Sequence, residues 1–399
     1  MRISRFAALL LTCALLVLPA AGLAASTSLS VAIVADDHLA LRPLELNHRD
    51  VVSLLNLVYE GLFEIDDNYQ PQPKLAYAYS FSNDGRKVQV TLRDDISFHN
   101  GQTLTSADVV ATLDYMLELA GFDENLDSEV PVADRGLYYS TFYSIKSWEA
   151  TDEQTIVFTL RRASYGSLYA LTFPILPASQ VAADMPAGTG PYKYDGYEQG
   201  SAIWLTANDG WWNRPPQVRY VRASIYDTAE QALNAFDTQS VDIAMTRSIN
   251  ASRYSGSLNT FSITARTRQL EVLLVNRAYK DFKSDDNGQN LLRQAISYAI
   301  NRSELISSAY QNMATVAYTP IPSGTWLSNE STIRDIYDPL MAASLLDSAG
   351  YKLADDGNRY KDGKKMESLR LLVYDEPGST ARTNAANKIV DQLAAVGIP

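Results

Sequence analysis

Residues 221–245 set the fold class. Val221, Ala223 and Ile225 alternate with polar neighbours, as a strand with one buried face requires. Thr228 with Gln231 three residues on opens a helix that carries Ala232, Leu233 and Phe236, and residues 241–245 return to an apolar strand pattern. Two strands joined by a single helix over so short a span pair in parallel, because a hairpin would leave the helix no place. The expected fold is therefore α/β.

The rest of the pattern agrees. Leu29, Val31 and Ile33 share one face of a strand at 28–34, and Asp50 precedes a helical stripe of Val51, Leu54, Leu55 and Val58 that Gly61 would stop. Val88, Val90 and Leu92, and later Ile156, Phe158 and Leu160, alternate as half-buried strands. Between them Thr105 and Asp108 open a helix whose buried face is Val109, Leu113, Met116, Leu117 and Ala120. Leu270 to Val275 reads as a sheet segment, followed by a helix through Leu291, Leu292, Ala295, Ile296 and Ala299. Asp338-Pro339 opens a further helix, with Pro in the first helical position. Leu369, Leu371 and Val373 read as a strand, and Ala386, Ile389, Val390, Leu393 and Val396 as a helix face.

The first residues carry a compartment signal. Arg2 and Arg5 precede an apolar run from Phe6 to Leu18, then Pro19 and a row of small residues to Ala25. That order is a cleavable signal peptide, too short in its apolar part to span a membrane comfortably. Cys13 is the only cysteine and lies inside the run, so lipid anchoring is not expected, and a cleaved chain could form no disulfide. The formal net charge of −12 excludes a polyanion-binding surface of the usual basic kind, so no nucleic acid partner is expected. It suits a secreted monomer.

Catalytic and metal motifs are missing. There is no P-loop, no G-x-S-x-G, no H-E-x-x-H and no C-x-x-C, and the three histidines, His38, His48 and His99, lie far apart. No enzyme activity, cofactor or metal is expected. A secreted hydrolase stands as the reading of another class.

A series of short matches then points to a family. Tyr59-Glu60-Gly61-Leu62, Pro73-x-Leu75-Ala76, Asp84-Gly85, Leu92-Arg93, Phe98-His99-x-Gly101 and Leu104-Thr105-x-x-Asp108-Val109 follow one another, then Gly188-Thr189-Gly190-Pro191-Tyr192, Asn208 to Trp212, Arg293 to Ile296 with Asn301-Arg302, and Tyr337-Asp338-Pro339 to Tyr351. In this order they resemble the family 5 extracellular solute-binding proteins, the receptors of ABC importers for oligopeptides, dipeptides and nickel. Trp211 stands where tyrosine is more usual, and Asn301 where aspartate is.

The resemblance implies a periplasmic-binding-protein-like, two-lobed fold of the three-subdomain class with mixed sheets. Residues 1–25 would be the leader, 26–47 with 168–267 the core of lobe I, 48–167 its inserted subdomain, and 268–399 an incomplete beginning of lobe II. It implies capture of a peptide or similar-sized solute between the lobes, and delivery to a permease and ATPase through peripheral docking at the membrane. A nickel chelate, haem, an opine or an oligosaccharide are the other ligands such a receptor could take. Candidate ligand-binding residues are Asp36, Asp37 and His38 after the first strand, Thr189 and Gly190 in the Gly-rich turn, and Tyr318 and Trp326 in a later Pro/Gly-rich stretch. His99 is expected to order a turn, and Asp108 to start a helix.

Overall fold

The structure, a computed structural model, describes residues 27–35, 39–46, 48–122, 135–246, 248–254, 257–264, 267, 269–284, 289–317, 319–321, 325–328, 337–374 and 380–399. Its chain divides into two compact units. The first runs to Asp66 and continues through Pro71–Asp227 and Gln231–Met245; the second comprises Asp67–Gln70, Thr228–Glu230 and Thr246–Pro399.

In the first unit, β1 (Ser28–Val34) leads into α1 (Arg49–Leu55) and then a small hairpin, β2 (Phe63–Ile65) with β3 (Pro71–Pro73). β4 (Ala76–Phe81), β5 (Lys87–Leu92), β6 (Ile145–Asp152) and β7 (Thr155–Leu160) form an antiparallel sheet in the order β4-β5-β7-β6, with α2 (Ser106–Leu119) and a single turn, α3 (Tyr139–Phe142), between β5 and β6. The alternation read in the sequence is the burial observed: Val88, Val90, Leu92, Ile156, Phe158 and Leu160 all enter the core. Asp108 starts α2 as expected, its carboxylate accepting from Thr105 N at 2.9 Å and from Ala178 N at 2.9 Å.

The chain then adds β8 (Tyr192–Glu198), β9 (Ala202–Ala207), β10 (Tyr220–Tyr226), α4 (Ala229–Asp237) and β11 (Ile243–Ala244). With β1 they make a mixed five-stranded sheet, β11-β1-β10-β9-β8, in which β10 and β11 pair in parallel with β1, while β9 runs antiparallel to both of its neighbours, β10 and β8. The expected strand–helix–strand unit is thus present, with β1 inserted between its strands. One sheet face packs into the main core through Val31, Ile33, Ile203, Leu205, Val221 and Ala223. On the other face, Ala232 and Ala235 of α4 cover Ala32 and Val241.

Two local expectations shift. α1 begins at Arg49, which puts Asp50 in the first turn rather than before it, where its charge still favours the helix's positive end. It ends at Leu55 instead of near Gly61, because the Leu57 and Val58 carbonyls accept from Tyr192 N and Gly190 N, each at 2.9 Å.

The second unit is built of helices α5 (Leu291–Ala299), α6 (Arg302–Ala309), α7 (Pro339–Ser348) and α8 (Ala381–Ala395), with the short antiparallel strands β12 (Lys352–Leu353), β13 (Arg359–Lys361) and β14 (Lys364–Lys365). Side chains cap three helices: Asn290 accepts from Arg293 N, Asn301 from Glu304 N and Asp338 from Met341 N. The core gathers Leu292, Ala295, Ile296 and Ala299 with Ala342, Leu346, Val396 and Ile398. Arg359 is buried there with three donated hydrogen bonds: Nε donates to Val396 O, and one terminal nitrogen to Asp347 Oδ1 and Tyr351 O, all at 2.7 Å.

The strands expected at 270–275 and 369–373 do not form. Leu369 N reaches Pro399 O at 2.9 Å, but no ladder follows among the described residues. A strand exists only when a neighbour takes its backbone groups. Lacking one, these segments carry no strand, and Val272, Leu274, Leu372 and Val373 are exposed. No described helix is long and apolar enough to cross a membrane.

Candidate functional site

The Gly-rich turn is the hub of the first unit. Gly188 and Gly190 lie so close to the 57–58 backbone that an added Cβ would sit 1.9 Å from Val58 O at Gly188 and 2.6 Å from Leu57 O at Gly190. Only glycine allows that approach. His99 closes the other side: Gly188 N donates to its Nδ1 at 3.3 Å, and its Nε2 donates to Gly190 O at 2.9 Å, a tautomer fixed by these two partners. His99 N also donates to Gly188 O. Burial pushes this imidazole below its ordinary pKa, with Lys193 a smaller cause in the same direction. His99 orders a turn, as expected from the sequence.

These bonds bear on two candidate residues. Gly190 gives its N–H to Val58 O and receives His99 and Asn208 at its carbonyl, so its backbone donor is spent inside the fold. Thr189 is buried. Its hydroxyl is near enough to Glu60 to favour that carboxylate's charge, but not in hydrogen-bond geometry with it.

Glu60 anchors the cluster beside the turn. It is 5 % exposed and accepts from Trp212 Nε1 at 3.0 Å and Trp211 Nε1 at 3.3 Å. Lys74 Nζ lies 3.7 Å from Glu60 and 2.8 Å from Glu64. The indoles meet edge to face with centroids 5.8 Å apart. Lys74 lies over both, and Arg93 stacks on Trp212 at 4.4 Å while binding Asp95. Burial raises the Glu60 pKa, opposed by the Trp212 bond, Lys74, Thr189 and Trp211. Both indole N–H groups are consumed, so this cluster clamps the Trp211–Trp212 segment to the β2–β3 hairpin. Sequence reading quoted Glu60 within a motif without a role, and missed Lys74, which no local spacing links to it.

The edge suited to capture is the other end of the sheet. In open α/β sheets, ligands collect beyond the carboxyl ends of parallel strands. Here that edge comprises Ala35 after β1, Asp227 after β10 and Met245 after β11, and Ala35 N is tied to Tyr226 O at 3.1 Å. Asp36, Asp37 and His38 follow Ala35 directly but lie outside the described residues, as does Tyr318. Trp326, in the second unit, is half exposed. Among the described residues no group of three or more His, Cys, Asp and Glu could hold a metal.

This is a periplasmic-binding-protein-like α/β fold with several sheets. The chain belongs to the bacterial extracellular solute-binding proteins, family 5: the model of that family's middle region matches residues 70–399. Among relatives, the glutathione-binding protein GsiB of Escherichia coli is 27% identical over 341 residues, covering 80% of this chain and 61% of its own. The chain spans about three fifths of the length of the curated relatives it matches. Among solved structures, NikZ of Campylobacter jejuni in complex with Ni(L-His) superposes with a TM-score of 0.68 at 23% identity, over 94% of this chain and 72% of that one. The oligopeptide-binding protein AppA of Bacillus subtilis, in complex with a nonapeptide, gives 0.64 at 22%, over 93% and 73%.

Proposed function

We propose that this chain is the extracytoplasmic receptor of an ABC importer, which captures a peptide or similar-sized solute and presents it to a permease driven by an ATPase. The observation that carries this reading is the family match over 70–399. Two relatives favour a peptide: one is named for glutathione, itself a tripeptide, and another holds a nonapeptide. On this reading residues 1–25 direct export, 26–47 with 168–267 form the core of lobe I, 48–167 its inserted subdomain, and 268–399 belong to lobe II. The four-stranded sheet within 76–160 supports treating the insert as a substructure of its own. Asp36, Asp37 and His38, at the carboxyl end of β1, are the proposed contacts for a ligand amine, with Tyr318 and Trp326 as proposed stacking groups. Binding moves such a receptor between open and closed forms only if the ligand favours one of them.

The test is a thermal-shift screen of the exported chain against short peptides, reduced glutathione among them, at up to about 1 mM, a concentration matched by roughly −4 kcal/mol of binding. A saturable rise in melting midpoint with a peptide is the expected result. A rise with sugars, opines or metal chelates and none with any peptide would overturn the peptide assignment.

A further inference from the structure

A groove enclosing about 320 Å³ lies on the sheet face opposite the main core of the first unit. It begins where α4 stops covering the sheet: Ser224 is buried, whereas Arg222 and Tyr220, two and four residues earlier on β10, are exposed. Pairing register sets its polar groups in one row. Gly196 of β8 pairs with Trp204 of β9, Trp204 with Arg222 of β10, and Arg222 with Ser30 of β1, which binds Asp242 just before β11. The register slips between Tyr194 and Gly196, and this bulge turns Asp195 into the groove.

Three features make this more than an open sheet surface. Trp204 lies against Gly196: a Cβ there would meet its Cε3 at 3.4 Å, so the indole rests over bare backbone as a platform. Arg222 and Asp195 face the groove from either side of that platform, and neither makes a hydrogen bond or ion pair with a described residue. They stand two strands apart, roughly 10 Å between backbones, too far to pair with each other without both leaning over the indole. Asp242, in contrast, is committed, its Oδ2 accepting from Ser30 N at 2.8 Å and Ser30 Oγ at 2.6 Å.

We propose that this groove binds a short linear zwitterion. Its carboxylate pairs with the Arg222 guanidinium, which suits a bidentate contact. Its ammonium pairs with Asp195, and its methylene stem lies on Trp204. With both side chains upright, the strand spacing less a hydrogen-bond length of about 3 Å at each end fits charges roughly 4–6 Å apart. That separation belongs to ω-amino acids of about four or five carbons rather than to α-amino acids. The groove is shallow and open, so affinity is of millimolar order. This proposal is independent of the importer reading.

The experiment is saturation-transfer NMR of the exported chain with 5-aminopentanoate, and with pentanoate and pentylamine as controls. Saturable binding of the zwitterion is expected, at least about tenfold tighter than either control. It should weaken about tenfold or more in both Arg222→Ala and Asp195→Asn, and severalfold in Arg222→Lys, which keeps the charge but not the fork. Both residues changed are exposed, and unchanged melting midpoints confirm the fold. No saturable signal in the unaltered chain overturns the proposal. So does equal binding by the variants, which would place the ligand elsewhere.

Discussion

The two units bury their apolar residues to different degrees. In the first, the strand patterns of β5, β7, β9 and β10 each find a partner strand and a core, and Val88, Val90, Ile156, Phe158, Ile203 and Ala223 are fully enclosed. In the second, helices pack well around Ala295, Ala342 and Leu346, yet two equally strand-like segments, 270–275 and 369–373, form no strand ladder among the described residues and leave apolar side chains in solvent. The lesson is that alternation specifies a face, whereas a strand also needs a neighbour for its backbone.

The largest effect that sharpens this contrast concerns glycine. Gly188→Ala in the first unit places a Cβ against Val58 O and should cost more than about 3 kcal/mol, by forcing apart the turn on which α1 and β8 meet. Gly357→Ala in the second unit meets nothing within 4 Å and suffers only its positive φ, about 1–2 kcal/mol. Chemical denaturation compares them, and equal losses would break the argument.

Next comes Arg359→Met. It leaves Val396 O and Tyr351 O without a buried donor and should cost about 2–4 kcal/mol. The change belongs to the second unit, so amide exchange should rise in α7 and α8 and stay constant in β5 and β7. A rise in both units would show that they do not respond separately.

Glu60→Gln should cost less, about 1–2 kcal/mol, because the amide oxygen can still accept an indole N–H while the attraction to Lys74 is lost. The smallest effect is a pair of opposed pH slopes. Burial depresses the His99 pKa, so its neutral form contributes stability above the ordinary value of 6.5, and that contribution is lost as pH falls through the folded value. Burial raises the Glu60 pKa above 4.5, so its contribution is present below that value and is lost as pH rises through the folded one. Denaturation midpoints against pH for His99→Gln and Glu60→Gln should each flatten one slope. If His99→Gln leaves the slope below 6.5 unchanged, the imidazole is not the group responsible.

Much of the fold was legible because its determinants are local. The Thr105–Asp108 box, the Asp338 cap and the strand–helix–strand unit at 220–244 all rest on short sequence spacings. The partnership of His99 with Gly188 and Gly190 was not legible as a contact, although both motifs stood out, since some 90 residues separate them. Glu60 with Trp211, Trp212 and Lys74 escaped for the same reason, and the insertion of β1 between β10 and β11 is a tertiary choice that periodicity cannot encode. Of the proposed contacts, Thr189 and Gly190 proved to be enclosed by the turn's own packing.

The contrast between the units is tested most directly by hydrogen exchange of the full chain, resolved to short peptides by mass spectrometry. The account predicts that amides of β5, β7 and β9 exchange only through large openings, while those of 270–275 and 370–374 exchange within the earliest time points. Protection of 270–275 and 370–374 equal to that of β5 would mean that these segments are paired in solution, and would contradict it.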